Sequence, residues 1–154
     1  PAVTATESSD ETGIVVASLG ESGRVYVEAD LSVRATPDAW AGVVGEAVVK
    51  WDADFVFAEV NQGGDLVRQV LQAAGVRVPV RNAVASKGKA ARAEPVAIDY
   101  RNGDVVHVGL LPELEDQCAS WVPGDSKSPD RIDALVWAVV GLRRPVQAAR
   151  LVGT

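Results

Sequence analysis

The sequence predicts an α/β fold of three layers, in which helices cover both faces of a central mixed β-sheet. A pair of strand patterns comes first and is joined by a short turn, and strand and helix patterns then alternate along the chain. Strands joined by a tight turn pair antiparallel, whereas strands joined through a helix pair parallel, so the predicted sheet is mixed. A chain of 154 residues with 47% hydrophobic residues suffices for one domain, and we expect residues 1–154 to form a single domain.

The first half of the chain carries the strand pair and the first crossover. Residues 13–19 (GIVVASL) and 24–30 (RVYVEAD) flank the turn GESG and predict a hairpin. Pro37 suits the start of a helix, and an apolar stripe at helical spacing follows it. The run FVFAEV at 55–60 is apolar without alternation, which is typical of a central strand covered on both faces. Glu59 is expected at the C-terminal end of that strand.

The second half of the chain alternates between helix and strand patterns, which indicates a βαβ unit followed by further helices. The predicted elements are a helix at 65–74, a strand around 76–84, a helix at 90–100 after a loop rich in glycine and lysine, a short hairpin or single strand within 101–109, and a helix at 112–121.

The last predicted helix has a clear start. Ser128 is a good N-cap and Pro129 suits the first helical position. Asp130 and Asp133 follow three residues apart, with Cβ atoms about 5–6 Å from each other, so the two carboxylates can share one cation. They can equally serve only to complement the helix dipole. The tail after residue 144 has weak packing signals, and we expect it to be loosely held.

Composition and charge limit the possible functions. The single Cys118 excludes an internal disulfide, and with the single His107 it excludes a zinc site built from those ligands, so any metal must be held by oxygens. No apolar run approaches the 18 or more residues of a membrane span, and the polar, acidic start does not resemble a signal peptide. The net charge of −6 argues against non-specific coating of nucleic acid, although residues 77–101 carry six basic and two acidic residues.

Two acidic motifs stand far apart in sequence. Glu59 follows four apolar residues of a predicted central strand, where a buried carboxylate needs a cation or a strong donor. The alternative is that Glu59 pairs with a basic side chain such as Lys89 or Arg92. Function in α/β sheets gathers at the C-terminal ends of the strands, so Glu59 together with Asp130 and Asp133 is the candidate constellation.

These motifs carry a family resemblance over essentially the whole chain. The chain resembles the nuclease domain of the large terminase subunit of tailed bacteriophages, a member of the ribonuclease H-like superfamily. The motifs that carry the resemblance, in the family's order, are SSDETGIVVA at 8–17, EVNQGGD at 59–65, SKGKAARAEPVA at 86–97, VVHVG at 105–109, LEDQCASWVPG at 114–124 and SPDRIDALVWA at 128–138.

The resemblance implies an endonuclease that cuts double-stranded viral DNA concatemers with two divalent metal ions, Mg²⁺ or Mn²⁺, held by acidic residues. It implies that Glu59 is the family's second carboxylate and Asp130 its third, with Asp133 as an auxiliary ligand or a residue that orients water or Asp130. Asp10 is a further candidate near the metals. An Asx-type turn before the following strand explains Asp10 equally well.

The family's first carboxylate marks a departure from the pattern. In the resembling proteins an aspartate at the end of the first strand stands immediately before a proline, and this sequence begins at Pro1. We therefore expect the first strand and its aspartate just upstream of Pro1. A molecule that truly starts at Pro1 would lack a principal ligand and would cut weakly or not at all.

Basic residues supply the expected DNA contacts. Lys89 and Arg92 match basic positions of the family's lysine and arginine segment, and Lys87 and Arg81 would extend the track along the phosphates. A solvated helix face is the alternative explanation. His107 is expected to be a strand residue rather than a catalytic base, while Cys118 and the four tryptophans are expected in core or helix packing.

The function expected from the resemblance is cleavage without motor activity, because the chain lacks the GxxxxGK[ST] loop of an ATP-driven translocase. Implied partners are double-stranded DNA, the terminase ATPase domain of a full-length chain, the portal protein and the small terminase subunit, with no membrane. The implied location is the cytoplasm of a bacterial host, transiently at the procapsid portal. Alternatives are another ribonuclease H-like nuclease, such as a junction resolvase, or a catalytically silent module that docks on DNA or the portal.

Overall fold

The computed structural model describes residues 2–7, 11–59, 64–122 and 129–143. The strands are β1 (Ala2–Glu7), β2 (Thr12–Leu19), β3 (Val25–Asp30), β4 (Phe55–Glu59), β5 (Val80–Ala83) and β6 (Val105–His107). The helices are α1 (Pro37–Lys50), α2 (Gly64–Ala73), α3 (Lys89–Arg101), α4 (Pro112–Ser120) and α5 (Asp130–Arg143). Ser128, Asp10 and the tail after residue 143, on which predictions were made, lie outside the described residues.

The six strands form one mixed sheet in the order β5-β4-β1-β2-β3-β6. The predicted hairpin is confirmed, since β2 and β3 pair antiparallel, and β4 and β5 pair parallel through α2 as the βαβ pattern indicated. Strand β1 pairs antiparallel with β2 and parallel with β4, and β6 pairs parallel with β3. Five strands therefore run in one direction and β2 runs against them.

Helices cover both faces of the sheet, which confirms the three-layer α/β fold. The apolar run of β2 is continuous because its alternate residues pack against helices on opposite faces of the sheet. Ile14 and Val16 pack in a core cluster with residues of α1 and α2, whereas Val15 and Ala17 pack in a second cluster with residues of α3, α4 and α5. Among the described helices, none has the length and apolar character needed to cross a membrane.

Strand β1 is an element that the residue patterns did not predict, because they placed the first strand at residue 13. Its Thr4 is fully buried, and the Thr4 hydroxyl lies 2.8 Å from the Ala134 carbonyl oxygen of α5 and 3.2 Å from that of Val15. Because β1 is hydrogen bonded on both sides, a further strand can join this sheet only beside β5 or β6, or in exchange for β1. The strand and aspartate implied before Pro1 stay a prediction.

The other elements agree with the predictions apart from their ends. Residues 101–109 contain one strand and no hairpin, because β6 pairs with β3 rather than with its own neighbours. Strand β5 is shorter than predicted and begins directly after Pro79, whose carbonyl oxygen accepts a bond from the Val56 amide. Helix α5 begins at Asp130, one residue later than predicted, and the Asp133 amide donates to the Pro129 carbonyl oxygen at 3.1 Å.

Helix α5 is the element that joins the sheet to the candidate site. Nine of its residues are buried, including Trp137, whose ring meets that of Phe57 in β4 edge to face with centroids 5.8 Å apart. Gly141, one turn further along, brings the helix backbone close to the same Phe57 ring. Trp40 and Trp137 are buried, as expected, whereas Cys118, which was expected in core or helix packing, is exposed on α4.

Candidate active site

The C-terminal ends of five strands lie along one edge of the sheet, since these strands run in one direction. Glu59 ends β4 there and stands beside Ala83, which ends β5. Side chains alternate along a strand, so Glu59 lies on the same face as Phe55 and Phe57. Those two rings cluster with Trp137, which identifies that face as the one covered by α5.

The first turn of α5 lies at the same edge. Arg131 reaches two groups there, Asp30 at the end of β3 and Glu11 just before β2. Asp133 reaches Lys89, which begins α3 shortly after the end of β5. The helix start that carries the two aspartates therefore lies at the same edge of the sheet as Glu59.

Asp133 is the more buried of the two aspartates of α5. It is 5% exposed, and its Oδ2 atom lies 2.6 Å from the Nζ atom of Lys89, whose side chain is half exposed. A buried carboxylate needs such a partner, because desolvation without compensation is costly. The ion pair joins two residues that the sequence assigned to separate tasks, one to metal and the other to DNA.

Asp130 is the first residue of α5 and is partly buried. It lies near the helix N-terminus, where the peptide dipoles leave partial positive charge. Glu59 is likewise partly buried at the end of β4. Both residues are thus partly exposed at this edge of the sheet.

The cluster of Arg131, Asp30 and Glu11 was not identified in the sequence. The Nη1 atom of Arg131 lies 2.6 Å from Asp30 Oδ2, and its Nη2 atom lies 2.8 Å from Glu11 Oε1. Burial lowers the pKa of the guanidinium, but the hydrogen bond to Asp30 and the charges of Asp30, Glu11 and Glu113 outweigh burial and raise it. The sequence signal was present, since Arg131 stands between the two aspartates of SPDRIDA.

The predicted DNA-binding residues occupy different parts of this side of the molecule. Lys87 is exposed in the loop before α3, and its carbonyl oxygen accepts a bond from Arg92. The Arg92 guanidinium lies 4.5 Å from the centre of the Trp137 ring. Arg81 lies further from the edge, paired with Phe57 in the sheet, and its guanidinium is 4.2 Å from the centre of the Phe55 ring.

Lys87 and Arg92 also line a cavity of about 420 Å³ between α3 and α5. The other polar groups on its wall include Asp99 and Arg143, which form an ion pair. Because Arg92 is held against Trp137 and against the loop backbone, its charge has a fixed position beside the α3 start.

His107 lies in β6, as predicted, and belongs to a separate hydrogen-bonded chain. Its Nε2 atom lies 2.6 Å from the Tyr100 hydroxyl oxygen and its Nδ1 atom 3.1 Å from Glu115 Oε1. The hydrogen bond with His107 lowers the pKa of Glu115 most, followed by that from the Leu111 amide. Burial, followed by the charges of Cys118 and Glu115, raises the pKa of Tyr100. This chain ties α3, β6 and α4 together.

The donor chemistry at the edge suits a hard divalent cation, because carboxylate oxygens are the ligands that Mg²⁺ and Mn²⁺ prefer. Within the described ranges, however, no group of three or more His, Cys, Asp or Glu side chains is placed to hold a metal ion. Asp10, the further candidate ligand, lies outside these ranges. The described carboxylates thus fit such an ion in type, and no complete ligand set is formed among the described residues.

The mixed six-stranded sheet, its helices on both faces and the acidic edge define a ribonuclease H-like nuclease fold. The chain belongs to the family described as the terminase RNaseH-like domain, whose model matches residues 1–142. This membership confirms the family resemblance that the motifs indicated. No curated protein matches the chain.

Solved structures share the fold at low sequence identity. The yeast mitochondrial Holliday junction resolvase Ydc2 is 10% identical, with a TM-score of 0.58 over 92% of this chain and 77% of that one. The nuclease domain of the large terminase subunit gp2 of bacterial virus Sf6, a K428A mutant with manganese and beta-thujaplicinol, is 14% identical. Its TM-score is 0.53 over 90% of this chain and 86% of that one. Identities this low bear on the fold alone.

Proposed function

We propose that this chain is the nuclease domain of a large terminase subunit and cuts double-stranded DNA concatemers during viral genome packaging. The observation that carries the proposal is that Glu59 and the first turn of α5, which bears Asp130 and Asp133, lie at the same edge and on the same face of the sheet. Membership of the terminase family supports the biological role. The same fold in a junction resolvase makes structured DNA the competing substrate.

Catalysis is proposed to depend on two Mg²⁺ or Mn²⁺ ions held by Glu59, Asp130 and Asp133, with Asp10 as a further ligand. Such ions, when bound, activate the attacking water and stabilise the leaving oxygen of an in-line phosphodiester displacement. The chain's own carboxylates supply the negative charge that attracts the cations. Asp133, which is more buried than Asp130, is proposed to be an auxiliary ligand or to orient water or Asp130.

Lys89 is proposed to balance the charge of Asp133 and to face the DNA backbone. Its side chain is half exposed, so its ammonium can reach a phosphate without unfolding of α3. Lys87, Arg92 and Arg81 are proposed to bind neighbouring phosphates. Such contacts hold a duplex in register without reading its sequence, which agrees with cleavage of little sequence preference.

The remaining proposals concern partners and place. The terminase ATPase domain, the portal protein and the small terminase subunit are proposed to control when and where the DNA is cut. The proposed location is the cytoplasm of a bacterial host, transiently at the procapsid portal. Each follows from the family and awaits a binding or localisation experiment.

A DNA-cleavage assay tests the nuclease proposal. Supercoiled plasmid, linear duplex and a four-way junction are incubated with Mn²⁺, Mg²⁺ or chelator, using the 154-residue chain and the longer natural protein where its gene encodes residues before Pro1. We expect metal-dependent nicking and linearisation by the form that includes the implied upstream aspartate. Glu59→Ala and Asp130→Ala abolish cutting, because each removes a proposed ligand.

Matched controls separate chemistry from folding. Glu46→Ala changes an exposed glutamate of α1, on the opposite face of the sheet, and is expected to keep wild-type rates, as is Cys118→Ser. Normal cutting by Asp130→Ala would overturn the assignment of that residue. Preference for the junction over linear duplex would favour a resolvase, and DNA binding without cutting by the longer protein would favour a silent docking module.

A further inference from the structure

We propose that Arg131 is a positioning residue of the candidate site, which fixes the carboxylates of Asp130 and Asp133 by tying the first turn of α5 to the sheet. The inference rests on the proposed function. Arg131 itself lies within the acidic motif, yet its guanidinium is bound to carboxylates that the motif does not contain. Its partners Asp30 and Glu11 are distant in sequence, 101 and 120 residues away.

The geometry is that of a two-pronged clamp. One guanidinium nitrogen binds Asp30 at 2.6 Å and the other binds Glu11 at 2.8 Å. The side chains of Arg131, Asp30 and Glu11 are 15%, 4% and 18% exposed, respectively. Water therefore screens these contacts far less than it screens a surface ion pair. Only a guanidinium offers two parallel donors of this spacing, because a lysine ammonium is a single point charge.

The clamp is anchored on the sheet side by a second layer of bonds. The Oδ1 atom of Asp30 accepts bonds from the Ser32 amide at 3.1 Å and the Ser32 hydroxyl at 2.6 Å. The Ser32 hydroxyl oxygen in turn accepts a bond from the Ile14 amide at 3.0 Å. Arg131 is therefore joined to a carboxylate whose own position is fixed between β2 and β3.

A second tie holds the same helical turn from another direction. Residues 131 and 133 are separated by about 200° around the helix axis, given about 100° for each residue. Arg131 thus faces the β2–β3 side while Asp133 faces Lys89 at the start of α3. Because one ion pair holds each side of the helix, the first turn of α5, which includes Asp130, has little freedom to rotate or shift.

The same helix offers a matched control at its other end. Arg143, in the last turn of α5, pairs with Asp99 of α3 and lies far from the sheet edge that carries Glu59. Both arginines join α5 to a neighbouring element through an ion pair. Only Arg131 does so at the proposed site, so a role in helix packing alone would give the two substitutions similar effects.

The experiment compares Arg131→Lys, Arg131→Gln and Arg143→Gln in the natural protein. The measurements are thermal unfolding, calorimetric affinity for Mn²⁺ without DNA, and the rate of plasmid cleavage. Loss of residues that orient metal ligands typically costs about 10- to 100-fold in affinity or activity, and we expect that loss for both Arg131 variants. Arg143→Gln is expected to lower the melting temperature while leaving Mn²⁺ affinity and cleavage at wild-type levels.

The outcomes distinguish this inference from the proposed function. Wild-type Mn²⁺ affinity and cleavage in folded Arg131→Lys would overturn the positioning role, and equal losses in the Arg143→Gln protein would do the same. Should Arg131→Gln not fold, Arg131→Lys decides, because it keeps the charge and loses only the two-pronged contact. A wild-type protein that binds Mn²⁺ without cutting DNA would overturn the nuclease alone, and one that binds no Mn²⁺ would overturn both.

Discussion

Gly141 is expected to be a position where a single methyl group destabilises the contact between α5 and the sheet. A Cβ atom built on Gly141 lies 2.8 Å from Cδ1, 3.1 Å from Cγ and 3.2 Å from Cε1 of Phe57. These are atoms of a ring that is 3% exposed and packed against Trp137, so the ring cannot swing away. Gly141→Ala must therefore push α5 away from β4 or displace the ring.

The size of the effect follows from two opposing contributions. Alanine in place of glycine within a helix stabilises by about 1 kcal/mol. Forcing an extra methyl group into a well-packed core costs about 1–3 kcal/mol. The net result is a loss of about 0–2 kcal/mol in the free energy of unfolding. Because α5 carries Asp130 and Asp133, the same displacement is expected to slow cleavage.

Gly42 in α1 provides the control, since a Cβ atom there has nothing within 4 Å. Gly42→Ala should show the helix contribution alone and gain about 0.5–1 kcal/mol. The assay is urea unfolding followed by circular dichroism, together with melting temperatures, which shift by about 2–4 °C per kcal/mol in a domain of this size. Equal stabilisation by both substitutions would refute the packing argument.

Two further predictions concern charged groups. Lys89→Met removes the 2.6 Å contact with Asp133 and should lower the free energy of unfolding by about 1–2 kcal/mol, since the Lys89 side chain is half exposed. A double-mutant cycle with Asp133→Asn measures the coupling, and a coupling near zero contradicts the contact. The hydrogen bond with His107 lowers the pKa of Glu115 in the folded state, so Glu115 stabilises the fold above its unfolded-state pKa and loses that effect as pH falls through its folded-state pKa. Wild type and Glu115→Gln should therefore differ in urea midpoint at neutral pH and converge as pH falls through the folded-state pKa of Glu115, and a gap that persists in stronger acid would contradict this role.

Local patterns were sufficient to predict most elements of the fold. The apolar run of β4 and the alternation of strand and helix patterns predicted the parallel unit of β4, α2 and β5. The start signals near Pro37 and Pro129 predicted the first residues of α1 and α5 to within one residue. Strand β1 escaped prediction because AVTATE has a single apolar side chain larger than alanine, that of Val3. It is a strand because it pairs with β2 and β4 and buries Thr4 under α5, which are contacts from distant parts of the chain.

Part of the candidate site could likewise be predicted from the sequence, and part of it could not. The positions of carboxylates in the first turn of a helix and at the end of a strand can be predicted from the sequence, because the start of a helix and the end of a strand depend on neighbouring residues. The ion pair of Lys89 with Asp133 and the clamp of Arg131 on Asp30 and Glu11 depend on how α3, α5 and the sheet pack.

The sequence by itself determined the α/β class, the family and the residue types of a site that only oxygen ligands can build. The tertiary structure decided which charges meet. Hydrophobic periodicity specifies the face that an element buries, but it carries no information about which distant element lies at its end. For that reason Asp130 and Asp133 could be read from SPDRIDA, whereas the bonds that hold their helical turn in place appear only once the chain is folded.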